Sequence, residues 1–240
     1  GDLGRQLELI AARLREQNAA IAAAEERIVT MLGSVLPLDL VDRVRRGERD
    51  VAESVDSATV ITLVVNGLPE PSGIEQDAVF ELTERLAAES EALCRTHGVE
   101  RIRAASDHLL FVVGRDQDGL AVDAAVDFAV DGVDRIAAIG AEHGVPLTTR
   151  AGLASGMVAS GVVGTRQLSF GLWGEPVDRA EAISELSEEP GVYVDAGVAD
   201  LLRDRMQVES VDHDGRVERG VYAVVLTASE DSTPEDGPES

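Results

Sequence analysis

The chain has 240 residues, 45 of them acidic and 21 basic, for a net charge of -24, and it is 44% hydrophobic. That length suits one main domain plus an extra segment; the longest apolar runs, such as 58–65, are too short to span a bilayer, and no signal peptide is expected. A field this negative repels phosphate backbones and anionic headgroups, which argues against nucleic acid as a partner, and because every basic residue is arginine, lysine-dependent chemistry is excluded.

The first segment is periodic. Leu7, Leu14, Ile21, Ile28 and Val35 stand seven apart, and Ile10, Gln17, Ala24 and Met31 follow the first four by three residues, which are the a and d positions of a heptad seam. Ile at two a positions and Gln17 at a d position favour a two-stranded parallel coil over a helix docked on its own domain, because the remaining positions carry no second apolar face. An amphipathic stretch over 38–46 ends at Gly47, and 58–65 reads as a buried strand broken by Asn66-Gly67 and the prolines 69 and 71. A long helix over 74–97 is stopped by Gly98, and two strands, 99–104 and 109–113, flank a turn at Ser106-Asp107. A second long helix over 120–143 closes at Gly144, with 147–153 and 157–162 expected as a strand pair about Ser155-Gly156. A helix over 177–186, a strand over 191–194, a helix over 196–203 and strands near 206–211 and 220–226 complete an α+β fold. The acidic, Pro-containing tail 229–240 is expected to be disordered. The single Cys94 cannot form an intrachain disulfide, and its neighbours Ala92 and Leu93 point to a buried thiol in a reducing, cytoplasmic compartment.

Three stretches carry a resemblance: 31–53, 101–114 and above all the run from Arg150 to Gly174, Arg-Ala-Gly-Leu-Ala-Ser-Gly-Met-Val-Ala-Ser-Gly-Val-Val-Gly-Thr-Arg-Gln-Leu-Ser-Phe-Gly-Leu-Trp-Gly. Between about 31 and 226 the chain resembles the class III nucleotide cyclases, the adenylate and guanylate cyclase catalytic domains. The resemblance implies a ferredoxin-like α+β core, βαββαβ, that pairs head to tail. Its expected divisions are a coiled-coil signalling helix (1–36), a linker (37–57), the cyclase homology domain (58–228) and the acidic tail (229–240).

Cyclising a nucleoside triphosphate drives the ribose 3'-hydroxyl onto the α-phosphorus, which calls for two divalent cations, stabilisation of the pentavalent phosphorus and a reader for the base. By the resemblance, the first metal carboxylate would stand in Thr62-Leu63-Val64, where Val64 cannot ligate, while the second is retained as Asp107. Arg103 takes the base-reading lysine's place, Gly171 the base-reading aspartate's, Asp178 the transition-state asparagine's and Ala182 the transition-state arginine's. Losing one transition-state group typically costs about a hundred- to a thousand-fold. Pro69 and Pro71 remove amides that would cradle phosphates, and Arg150 matches an arginine directed at the terminal phosphates, with a salt bridge to a nearby carboxylate as its plainer role.

His97 and His143 precede glycines at helix ends, and His108, beside Asp107, reads as an exposed turn residue whose side chain points away from it. Asp107, Asp178 and Glu175 form a different candidate cation set, and Trp173 is expected at a dimer interface. The expected function is a catalytically degenerate cyclase homology domain serving as a dimeric signal-transduction or assembly module. The alternatives are a weak or atypical cyclase converting ATP or GTP to cyclic nucleotide and pyrophosphate, and a nucleotide sensor without turnover. No cofactor is expected; Mg²⁺ or Mn²⁺ enters only with residual nucleotide binding. The expected partner is a second copy, through the helix and domain faces, or a heteromeric cyclase-like chain; a membrane is expected only through an upstream segment.

Overall fold

A computed structural model of the chain describes residues 2–33, 38–46, 48, 52–69, 76–105, 107–114, 120–164, 169–186, 189–203, 205–211 and 220–225. The elements in order are α1 (Asp2–Gly33), α2 (Leu38–Arg45), β1 (Ala52–Asn66), α3 (Gln76–His97), β2 (Glu100–Ala105), β3 (His108–Val113), α4 (Leu120–Glu142), β4 (Thr148–Val163), β5 (Ser169–Trp173), α5 (Glu175–Leu186), β6 (Gly191–Asp195), α6 (Ala196–Leu202), β7 (Val208–Val211) and β8 (Val221–Val224). The expected tail 229–240 lies outside the described residues. The chain forms two compact units, 1–54 with 159–172, and 55–158 with 173–240.

In the first unit the seam of α1 stands open. Ile10, Leu14, Ile21, Ile28 and Met31 are between 52% and 69% exposed, so these seam side chains leave much of their apolar surface uncovered. After α2, Arg43 bonds Glu48 at 2.9 Å and also Glu53, while Arg46 bonds Glu48 at 3.2 Å, which ties the short helix to the start of β1. Hydrogen bonds from Arg43 and then Arg46 hold the Glu48 carboxyl below its ordinary range.

The second unit is built on a sheet of order β2-β3-β1-β4-β6-β8-β7. Its first four strands with α3 and α4 make the expected βαββαβ core, in the ferredoxin-like order with β1 between β3 and β4. β1 runs antiparallel to β3, β4 parallel to β6, and β8 antiparallel to both β6 and β7. Residues 58–65 are buried throughout because both faces of this central strand are covered. Ile61, Leu63 and Val65 join Leu82, Val126, Phe128 and Ile139 in the core under α3 and α4, where Phe111 and Phe128 meet edge to face at 4.7 Å. The opposite face receives α5, which approaches so closely that a Cβ on Gly152 would lie 2.2 Å from the Ala180 carbonyl oxygen.

The structure corrects two strand expectations. Residues 147–153 and 157–162 are not a pair about Ser155-Gly156; they belong to one continuous strand, β4, and β5, not anticipated from sequence, is the strand that pairs with it. Gly156 gives close packing rather than a turn, since a Cβ there would meet the Pro176 ring at 2.9 Å, and the left-handed glycine that leaves β4 is Gly164 at φ +106°. β1 also begins at Ala52, six residues before its expected start, because the polar residues 52–57 continue the strand.

Candidate functional site

The β2–β3 turn and the end of β1 bring the two metal positions of the resemblance together. Val64 stands opposite His108 in the β1–β3 register, and the Val65 amide donates to the Asp107 carbonyl at 2.8 Å. Asp107 is exposed, whereas Val64 is 4% exposed and apolar. By the resemblance, one carboxylate would stand where the family places two. Among the described residues no three His, Cys, Asp or Glu side chains come together to hold a metal ion, so the set Asp107, Asp178 and Glu175 does not form one either. These residues do not fit a two-cation centre. His108 does not point away from Asp107: its Nδ1 lies 3.3 Å from the Asp107 carboxylate, because Asp107 belongs to the turn, where strand alternation does not apply.

Arg103 is aimed by a β-bulge. Arg101 pairs with Phe111 and Arg103 with Leu110, so Ile102 is the extra residue, and the two arginines leave the strand on opposite faces. Arg101 lies 3.5 Å from Glu91 of α3, and Arg103 bonds Glu181 of α5 at 2.5 Å. Glu181 shares a face of α5 with Asp178 and Ala182, one turn apart. The cation that would read a base is thus answered by a carboxylate of its own chain, and beside it stand a second carboxylate, Asp178, and the methyl of Ala182. Glu181 was missed in the sequence; its spacing of three from Asp178 is the signal that finds it once α5 is known to face Arg103.

Arg150, on β4 beside Gly191 of β6, directs Nη1 at the Glu185 backbone carbonyl at 3.4 Å, and the Glu185 carboxylate stands 4.0 Å from His108. Gly171 lies in β5 of the first unit between buried Phe170 and Leu172, and Trp173 is exposed. Pro69 is half-buried after β1, and Pro71 lies outside the described residues. Of the other histidines, His97 bonds Asp131 of α4 at 2.9 Å and His143 bonds the Ile139 carbonyl at 2.9 Å, so both helix-end rings are hydrogen-bonded within the chain. Cys94 is half-buried rather than fully buried as its neighbours suggest, and burial pushes its thiol up to about 11. No helix among the described residues is long and apolar enough to cross a membrane.

Comparison with known proteins agrees with this architecture. The chain is 27% identical over 198 residues to an adenylate cyclase of Mycobacterium tuberculosis, covering 81% of this chain and 45% of that relative, so it spans less than half of the relative's length. It superposes on the guanylate cyclase domain of RhGC from Catenaria anguillulae with a TM-score of 0.67 at 22% identity, covering 73% of this chain and 100% of that one. The guanylyl cyclase domain of the RhoGC fusion protein from Blastocladiella emersonii, described as a non-canonical dimer in one structure and as a monomer in others, gives a TM-score of 0.65 at 21% identity, covering 74% and 98%. The family model for the adenylate and guanylate cyclase catalytic domain matches residues 52–223, and the chain belongs to that family.

Proposed function

We propose that the chain is a catalytically degenerate cyclase homology domain that works as a dimeric signal-transduction or assembly module. The observation that carries this reading is the buried Val64 beside Asp107, which leaves a single carboxylate where the reaction calls for a two-cation clamp. The Asp178 and Ala182 replacements act in the same direction, since by the resemblance the first can add an anion and the second removes a cation where negative charge would develop on phosphorus, while Glu181 engages Arg103 at the base-reading position. Dimerisation is supported by the exposed apolar residues of the α1 heptad seam.

A second reading, a weak cyclase acting on ATP or GTP, is favoured by exposed Asp107 and by Arg150. Product analysis separates the two. With ATP or GTP and Mg²⁺ or Mn²⁺, the purified chain is expected to give no cyclic nucleotide above a protein-free control. Product that vanishes in Asp107→Ala would establish the cyclase instead.

A further inference from the structure

A cavity of about 550 Å³ lies between the β1–β3 part of the sheet and the helices α3 and α4, within the second unit. It is on the face of the sheet away from Glu181, and its volume falls within the roughly 300–1,000 Å³ of small-molecule sites. The walls are aliphatic and aromatic, built by Leu63, Leu82, Leu86, Leu109, Phe128 and Ile136. Gly132, in the interior of α4, keeps the back wall open: a Cβ there would come within 3.3 Å of the Leu63 side chain. Glycine is a poor residue for a helix interior, so its place here is better explained by the space it leaves.

The polar groups of the lining are few and unequal. Thr83 donates its hydroxyl to the Val79 carbonyl at 2.8 Å and is satisfied within the helix. The Ser90 hydroxyl is buried and has no hydrogen-bond partner among the described residues, which is costly for a polar group in apolar surroundings. Arg101, on this face of the sheet, reaches Glu91 at 3.5 Å, and Glu91 is itself 55% exposed. Asp107, at the turn, already has His108 at 3.3 Å. The groups left to meet an occupant are therefore the Ser90 hydroxyl, which can donate or accept, and the Arg101 guanidinium, a cationic donor, both at the α3–β2 side of an otherwise apolar chamber.

We propose that this cavity binds a single-chain amphiphile with a carboxylate head, its alkyl chain against the aliphatic walls and its head accepting from Ser90 and pairing with Arg101. Covering the apolar lining supplies the affinity, and the charge-assisted bonds to the head set the orientation. A cationic head would be repelled by Arg101. Asp107 lines the cavity from behind while belonging to the turn, so an occupant would touch the one retained carboxylate of the candidate site. This proposal does not depend on whether the candidate site turns over nucleotide.

The test titrates the whole chain with decanoate by calorimetry, with decanol and decyltrimethylammonium as contrasts. Decanoate is expected to saturate at one per chain, at least tenfold more tightly than either contrast. Arg101→Glu, on the sheet's exposed edge, is expected to weaken decanoate at least tenfold and to reverse the preference toward the cation, and Gly132→Leu, checked for fold by circular dichroism, is expected to abolish binding. Absence of saturable binding, or decanol binding as tightly as decanoate, or decanoate binding undiminished by Arg101→Glu, would overturn the proposal.

Discussion

Arg101 and Arg103 stand two positions apart on one strand, yet the first reaches α3 and the second reaches α5, because one unpaired residue between them reverses the face. A similar dependence on context holds at Asp195. Its carboxylate caps α6 by accepting from the Val198 amide at 2.8 Å and stands 3.3 Å from Arg179, with both side chains largely buried. Asp195→Ala is expected to cost about 2 kcal/mol in urea unfolding, since it removes a cap and one ion pair of Arg179, whereas Asp195→Asn keeps an oxygen for the amide and costs less. For Cys94, burial raises the thiol from its ordinary 9.0 to about 11, so the folded chain holds that proton more tightly than the unfolded one. Its contribution to stability is then intact below 9.0 and lost as pH rises toward about 11, and Cys94→Ala is expected to flatten the fall in urea midpoint over that window. Burial also raises Tyr193, which leaves a residual slope. Near neutral pH, iodoacetamide is expected to label Cys94 only after unfolding; labelling of the native chain would place the thiol at the surface. At this scale the identities of Val64, Gly171, Asp178 and Ala182 are read from the sequence, and their assignment to replaced functional positions rests on the resemblance. The partners of Arg103 and His108 were not readable there, because a bulge and a turn decide which way a side chain leaves the backbone.

Among the elements, α3, α4 and α5 were legible because apolar residues recur at helical spacing and glycines stop the first two, and β1 because eight consecutive buried positions leave no polar face. β4 was misread for a physical reason: glycine in a strand marks either a turn or a close approach, and sequence alone does not separate them. At Gly152 and Gly156 it is close approach to α5. Gly152→Ala is accordingly expected to cost about 3 kcal/mol in thermal or urea unfolding, because the added methyl meets backbone atoms of Ala180 and Ser184 that cannot rotate away. Gly4→Ala, in α1 with nothing within 4 Å, is expected to be neutral or slightly stabilising, and serves as the control. Equal effects at the two glycines would contradict the packing described for β4 against α5.

For the whole molecule, a net charge of -24 opposes self-association, so an assembly must supply apolar contact to offset it. The open seam of α1 offers that contact. Ile21→Asp combined with Ile28→Asp is expected to convert a dimer to a monomer by sedimentation while leaving the circular dichroism of the cyclase-like domain in place; a wild-type chain already monomeric at micromolar concentration would contradict the coiled-coil reading. The central claim is that the family's fold persists here without its nucleotide chemistry, and calorimetric titration of the purified chain with ATP and GTP, in Mg²⁺ and then Mn²⁺, tests it most directly. The account expects no saturable heat up to millimolar nucleotide; saturable binding with one base preferred would contradict it and return the α5 face to service as a nucleotide site.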